Sequence, residues 1–283
     1  MTVRIDFHTH SSASDGTDRP AAVMRQARAA GLDVVALTDH DTTAGHAEAL
    51  RALPPGLTLV PGMELSCRLD GHSMHMLAYL FDPADAELAA HCERIRADRG
   101  RRAEAMVARL ADLGTGVTWE QVTEMAGGGV VGRPHIARAL AANGVIEEPS
   151  LAFTREWIGT GGRAYVGRYA LEPVRAVGLI RAAGGVAVLA HPRAGRDGWM
   201  VPDDVIARLA GGGLAGVEVW HPDQDAPERA RLLGLAGELG LVPSGGSDDH
   251  GALTGHRIGC ETITPECYQR LVERSSGARP ART

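Results

Sequence analysis

Two histidines one residue apart close the first apolar stretch of the chain, Val3-Arg4-Ile5-Asp6-Phe7-His8-Thr9-His10. Val3, Ile5 and Phe7 alternate with polar residues at the period of a strand, which puts His8 and His10 on one side of its end. Two imidazoles so placed can grip one metal ion. Asp15 follows in a Ser/Gly-rich turn from which a carboxylate can fold back towards them. Near the other end of the chain, Asp248-x-His250 repeats the spacing. His40, Glu64, His75 and His191 lie between, each at or near the end of an apolar stretch. Imidazoles and carboxylates without a cysteine suit Zn, Mn or Fe in an open site, whereas thiolates would favour closed structural zinc. Nine candidate ligands exceed the coordination shell of one ion, so two or three divalent ions are expected.

The elements that must position these groups alternate. A helix is expected over 20–30, capped by Thr17 or Asp18 and stopped by Gly31. A continuous apolar strand at 33–38 runs into Asp39-His40, and a helix over 43–53 follows. Further strands are expected at 57–60, closed by Pro61-Gly62-Met63-Glu64, and at 73–80, which carries His75. The rhythm then breaks into helices at 85–113 (broken near Gly100), 119–126 and 134–142. It resumes with a helix at 173–183 and a strand at 185–190 ending in His191-Pro192. A strand at 216–220 ends in His221-Pro222, and 241–244 leads through Gly245-Gly246 to Asp248 and His250. About seven strands are enough for a closed or nearly closed parallel barrel, with its chemistry at the C-terminal strand ends. The expected division is a barrel from 1–87 and 166–275, a helical insertion at 88–165, and a disordered tail at 276–283. Gly245-Gly246 is read as a bend that lets Asp248 and His250 reach the ions. His46 and His91 are read as surface residues, His72 as facing away from His75, and His221 is left outside the ligand set.

In combination these motifs resemble the PHP (polymerase and histidinol phosphatase) superfamily of metal-dependent phosphoesterases. The matching residues are His8-Thr9-His10 with Ser14-Asp15-Gly16, then Thr38-Asp39-His40, Gly62-Met63-Glu64, His75, Ala190-His191-Pro192 and Ser247-Asp248-Asp249-His250. The resemblance implies an α/β fold, a distorted (β/α)7 barrel with a helical insertion, and a trinuclear centre. It would place one ion on His8, His10, Glu64 and Asp248, a second on Glu64, His75 and His191, and a third on Asp15, His40 and His250. Asp15 stands where some members have histidine, which leaves the metal open among Mn, Fe and Zn. Within the superfamily the likeness is to nucleoside 3′,5′-bisphosphate phosphatases and 5′→3′ exoribonuclease-type members. It is carried by residues 14–17, Gly132-Arg133-Pro134-His135 and Ala164-Tyr165-Val166.

The expected reaction is hydrolysis of a nucleotide phosphate monoester by water activated at the metals, with short 5′-phosphorylated oligonucleotides as further substrates. Three ions against three carboxylates and a hydroxide leave about two positive charges for a phosphate dianion. His191 or His250 would protonate the leaving alcohol. Arg133 and His135, at a helix start, and Arg168 would hold a second phosphate. The competing readings are a histidinol-phosphate phosphatase and a non-enzymatic metal-binding regulatory module. The resemblance implies a small phosphate ester, most often a nucleotide, as the partner. The net charge is -6 with no basic block, which argues against duplex DNA. Scattered cysteines, no basic-then-apolar leader and no membrane-length apolar run give a cytoplasmic expectation. The Arg-rich run of Arg94, Arg96, Arg99, Arg101 and Arg102 is read as a solvated helix face.

Overall fold

The computed structural model describes residues 3–127, 131–167, 169–195 and 199–283. Arg168 therefore lies outside the described residues. The chain divides into two units, Met1–Cys92 with Ala170–Thr283, and Glu93–Tyr169. Both boundaries fall a few residues later than the 88–165 expected.

The first unit is an α/β barrel. Its strands are β1 (Ile5–Thr9), β2 (Val34–Leu37), β3 (Thr58–Leu69), β4 (His72–Tyr79), β5 (Val186–Leu189), β6 (Gly216–Trp220) and β7 (Val242–Gly245), adjacent in chain order. The barrel is nearly closed by the chain beyond β7. Asp248 N–H donates to His8 C=O (2.8 Å), and His10 N–H donates to Asp249 C=O (2.9 Å). Ile5, Phe7, Val34, Ala36, Val60, Tyr79, Val186, Val188 and Val242 belong to one apolar core. A second apolar layer joins β2 and β3 to α1 (Pro20–Ala29) through Val23, Met24, Val35, Leu37 and Leu59.

The structure differs from the expected fold in three places. β4 is antiparallel to both neighbours, so the barrel is mixed. The reason is the two-residue turn Asp70-Gly71, with φ of 47° and 89°: positive φ at both positions suits a tight hairpin and leaves no room for a crossover helix. The tail is not disordered: β8 (Ala281–Arg282) pairs antiparallel with Thr58 and Leu59 of β3. The start of α1 is not capped by Thr17 or Asp18. Glu48, held by Arg19, accepts the Ala21 N–H instead (3.3 Å).

The second unit has its own core, including Met106, Leu110, Val122, Ile136, Leu140 and Ile158. The helix α2 (Ala86–Asp112) has no break at Gly100. α3 (Trp119–Met125) is capped by Thr118, whose hydroxyl accepts the Gln121 N–H. α4 (Arg133–Ala142) follows. The arginines of α2 are not simply a solvated face. Arg94 lies over the Tyr169 ring at 4.0 Å, and Arg102 donates to Val166 C=O.

Close approach of β7 to β1 depends on glycine. A Cβ on Gly246 would sit 2.4 Å from the His8 backbone nitrogen, a contact no side-chain rotation relieves. Gly246→Ala is therefore expected to cost about 1–3 kcal/mol of stability, seen as a lower thermal midpoint. An unchanged midpoint would mean that the β1–β7 seam is not tight.

Candidate metal centre

The candidate ligands stand on or just beyond strands, apart from Asp15 in a turn, and buried carboxylates nearby fix several of the segments that carry them. Between Asp6 and Thr9 the β1–β2 register slips, and His8 and His10 emerge with their Nε2 atoms 3.1 Å apart. Asp6 accepts the Ser247 and Gly259 N–H groups, which joins the Asp248 segment to β1. Asp39 accepts the Ser11 N–H and the Ser11 and Ser14 hydroxyls at 2.7–2.8 Å, which folds the turn holding Asp15 back over the rim. Asp41 accepts the N–H and hydroxyl of Ser66, two residues past Glu64. Asp249 accepts the Gly251 and Arg257 N–H groups and so fixes the turn after His250.

Glu64 stands at the centre, almost fully buried. Its Oε2 lies 3.1–3.2 Å from His8 Nε2, His10 Nε2 and His40 Nδ1. Its Oε1 lies 2.8 Å from His75 Nδ1 and 3.0 Å from His191 Nε2. Asp248 Oδ1 approaches His10 Nε2 at 3.2 Å and His8 Nε2 at 3.4 Å. Beside these, Asp15 lies 3.4 Å from His250 Nε2 and 3.6 Å from His40 Nε2. The nine residues thus form one continuous cluster with three candidate groups of donors: His8, His10, Glu64 and Asp248; His40, Glu64 and His75; and His10, Asp15, His40 and His250. His40 and His10 each take part in two of them. His191 joins through Glu64 Oε1. Arg133 and His135 stand in the second unit at the start of α4. There His135 Nδ1 accepts the Gly132 N–H (3.1 Å) and Arg133 lies over the Phe153 ring at 5.5 Å.

Two residues outside the expected set complete the centre. Glu218 of β6 is fully buried; its Oε1 accepts His8 Nδ1–H (3.0 Å), and its Oε2 accepts the His191 N–H (2.7 Å). That bond turns His8 Nε2 towards Glu64, the way an acidic partner orients a metal-binding imidazole. His221 donates Nε2–H to Asp248 Oδ2 (3.2 Å) and turns Oδ1 inward. The sign of Glu218 in the sequence is a lone acid inside Gly216-Val217-Glu218-Val219-Trp220. His46, read as a surface residue, is half-buried, and its Nε2–H donates to Gly62 C=O (2.8 Å).

Without a cation the cluster is strained electrically. Burial opposes charge on His8, His10 and His191, yet the carboxylates beside them raise all three. Burial depresses His10, but Asp248 and Glu64 outweigh it and lift its pKa to about 10. Burial likewise opposes a charged His8, but Glu218, Asp248 and Glu64 raise it well above its usual range. Burial penalises Glu64, while His40, His75 and His8 pull it well below the carboxylate range. His40 goes the other way, pushed down by burial and by the charges on His10 and His75. Among the described residues, Glu64 Oε2, His10 Nδ1 and His40 Nδ1 are buried without a hydrogen-bond partner. Donor atoms 3.1–3.4 Å apart match the edges of a shell with bonds of about 2.1 Å. The residues therefore fit divalent cations.

His8 and His10 have raised pKa values, so below and around neutral pH they carry protons that a cation must displace. Metal affinity is expected to rise with pH across neutrality, and loading at pH 7 should release protons. Titration calorimetry in two buffers of different ionisation enthalpy measures this, and buffer-independent heats would contradict it.

Comparisons with known proteins agree with this chemistry. A family profile described as the PHP domain matches residues 6–113. The chain is 34% identical over 272 residues to a 3′,5′-nucleoside bisphosphate phosphatase of Chromobacterium violaceum, covering 93% of each. It is 34% identical over 252 residues to a 5′-3′ exoribonuclease of Haemophilus influenzae, covering 88% of this chain and 91% of that one. A solved structure from Bifidobacterium adolescentis, described as a metal-dependent phosphoesterase, superposes with a TM-score of 0.86 at 34% identity over 96% of both chains.

Proposed function

We propose, because this chain belongs to the PHP-domain family and is a metal-dependent phosphoester hydrolase, that its substrate is a nucleoside 3′,5′-bisphosphate from which it removes the 3′-phosphate. The observation that carries the reading is the convergence of five imidazoles on the two oxygens of Glu64, flanked by Asp15 and Asp248. Such a cluster can hold several cations at once and needs no side-chain nucleophile. Likeness to the bisphosphate phosphatase favours a nucleotide over histidinol phosphate. Likeness to the exoribonuclease supports short 5′-phosphorylated oligonucleotides as a second class of substrate. The cytosol is the proposed compartment, as Cys67, Cys92, Cys260 and Cys267 are free thiols.

One divalent ion (Mn, Fe or Zn) would be held by His8, His10, Glu64 and Asp248, a second by Glu64, His75 and His191, and a third by Asp15, His40 and His250. When bound, such ions supply Lewis acidity that neutralises phosphate charge and activates water near neutral pH. The chain itself sets the direction of approach. His8 and His10 are fully buried and form the floor, whereas His75, His191, His250 and Asp15 keep part of their surface open. The phosphate therefore enters over these four residues. His250 donates Nδ1–H to Asp248 C=O (3.0 Å), which turns Nε2 to the open side. His250 and His191 are the proposed proton donors to the leaving alcohol. Arg133 and His135 are proposed to hold the second phosphate, on the chemistry of a guanidinium and a helix start; Arg168 is proposed with them.

Phosphate release from adenosine 3′,5′-bisphosphate, histidinol phosphate and a small aryl phosphate tests the reading, with metal content measured on the same sample. The bisphosphate should give the highest kcat/KM, with about two to three ions per chain. Preference for histidinol phosphate would overturn the substrate, and a loaded protein inert on all three would be a regulatory module. On the same panel, Arg133→Ala should raise KM for the bisphosphate about tenfold or more, with a far smaller effect on the aryl phosphate. Equal losses would remove Arg133 from second-phosphate binding.

A further inference from the structure

The end of the barrel away from the metal centre carries a second polar hollow. It lies where β5 and β6 begin, whereas His191 follows the end of β5. The four residues of β5 alone separate the two by about 13 Å. Two arginines line the hollow. Arg181 is in the last turn of the helix Pro173–Ala182, and Arg274 follows the helix Pro265–Glu273. Arg181 donates Nη1–H to Gly212 C=O (3.2 Å), and Arg274 donates Nη1–H to Ala215 C=O (2.7 Å). Both guanidinium groups are therefore tied to one short turn, whose ends the chain holds within about 10 Å. The C-terminal segment forms a wall, where Ser276 N–H donates to Gly184 C=O (2.9 Å).

The hollow is basic without compensation. Its lining holds Arg181, Arg274 and Ser276 but no carboxylate, in a chain whose net charge is -6. Among the described residues neither arginine pairs with an Asp or Glu. Each donates to carbonyl oxygens alone, with Arg274 Nη2–H also reaching Gly240 C=O (3.3 Å). Burial and the charge on Arg270 hold Arg274 below the usual guanidinium range. A guanidinium has more N–H donors than these carbonyls occupy. Both arginines and Ser276 are exposed, so the spare donors are reachable. The hollow measures about 430 Å³, within the size range of small-ligand sites. Glycine keeps it open: Gly213 has a φ of 99°, and a Cβ there would collide with the Arg181 guanidinium.

We propose that this hollow is a second site for a phosphate group, separate from the metal centre and independent of metal, held between Arg181 and Arg274. Two guanidinium forks at this spacing can grip different edges of one tetrahedral oxyanion, and the dianion supplies the counter-charge that the hollow lacks. Its occupant would join the helix Pro173–Ala182 to the chain after the helix Pro265–Glu273 through a single ligand. The phosphate is either the free ion or the phosphate of a nucleotide. The site holds it whatever ester the metal centre hydrolyses.

The test titrates the full-length, metal-loaded protein with inorganic phosphate in a calorimeter. Arg181→Glu sets a carboxylate beside Arg274. It should bind one phosphate fewer per chain than the wild type, or bind it about tenfold or more weakly. Turnover of a small aryl phosphate should stay unchanged, because Arg181 stands at the opposite end of the barrel. Arg181→Gln, which removes the charge without reversing it, repeats the test should the first variant fail to fold by circular dichroism. A parallel titration with AMP separates the two sources. A site lost for both ligands accepts the phosphate of a nucleotide, and a site lost for inorganic phosphate alone takes the free ion; either result supports the proposal. Variants that bind as much phosphate as tightly as the wild type would overturn it. So would a loss of aryl phosphate turnover in step with phosphate binding, since the bound ion would then belong to the metal centre.

Discussion

One buried carboxylate facing five imidazoles is the constraint around which the barrel is built. Glu64 offers one oxygen to His8, His10 and His40 and the other to His75 and His191. Burying so many ionisable groups is costly unless their charges are matched. The carboxylates match the imidazoles only by keeping some of them protonated, as the raised His8 and His10 show. Divalent cations remove that conflict, because they take the lone pairs and supply the positive charge together. The site is thus best compensated when loaded, and this makes it a cation centre as opposed to a salt-bridge core.

The surrounding scaffold exists to hold donors at fixed separations. Asp6, Asp39, Asp41, Asp249 and Glu218 each accept hydrogen bonds from backbone groups of a segment that carries or borders a ligand. Backbone strain is concentrated in the same places. His191 has a φ of 23° and Asp248 a φ of 48°, outside the regions that side-chain-bearing residues prefer. Such conformations cost about 1–3 kcal/mol each and persist where neighbours over-determine them. Here Glu218 accepts the His191 N–H, and His8 C=O accepts the Asp248 N–H. The antiparallel β4 serves the same end, since the hairpin returns directly beside β3 and brings His75 Nδ1 to Glu64 Oε1.

Most of the centre was legible because ligand pairs obey the strand period. His8-x-His10 and Asp248-x-His250 could be read as facing pairs, and the structure brings all nine candidate residues into one cluster. Glu218 is hard to find because it is a single acid in an apolar strand, and Asp6 because it sits at an ordinary polar position of an alternating strand. A lone acid inside an apolar strand, as at Glu218, is the mark that points to a buried charge. The direction of β4 was missed because Asp70-Gly71 was not read as a hairpin turn, although its two residue types tolerate positive φ. The ordered tail was missed because its pairing with β3 is with a strand more than 200 residues away and leaves no local pattern. The role of Arg94 and Arg102 depends on Tyr169 and Val166, also remote in sequence.

Counting metal in Glu64→Ala tests the central claim most directly. If Glu64 is shared through both oxygens, the substitution should remove about two ions together, with most of the phosphatase activity, while His250→Ala should remove about one. Circular dichroism on the same samples should show the barrel still folded, since its apolar core does not include Glu64. Glu64→Ala protein with full metal content and normal turnover would contradict the account.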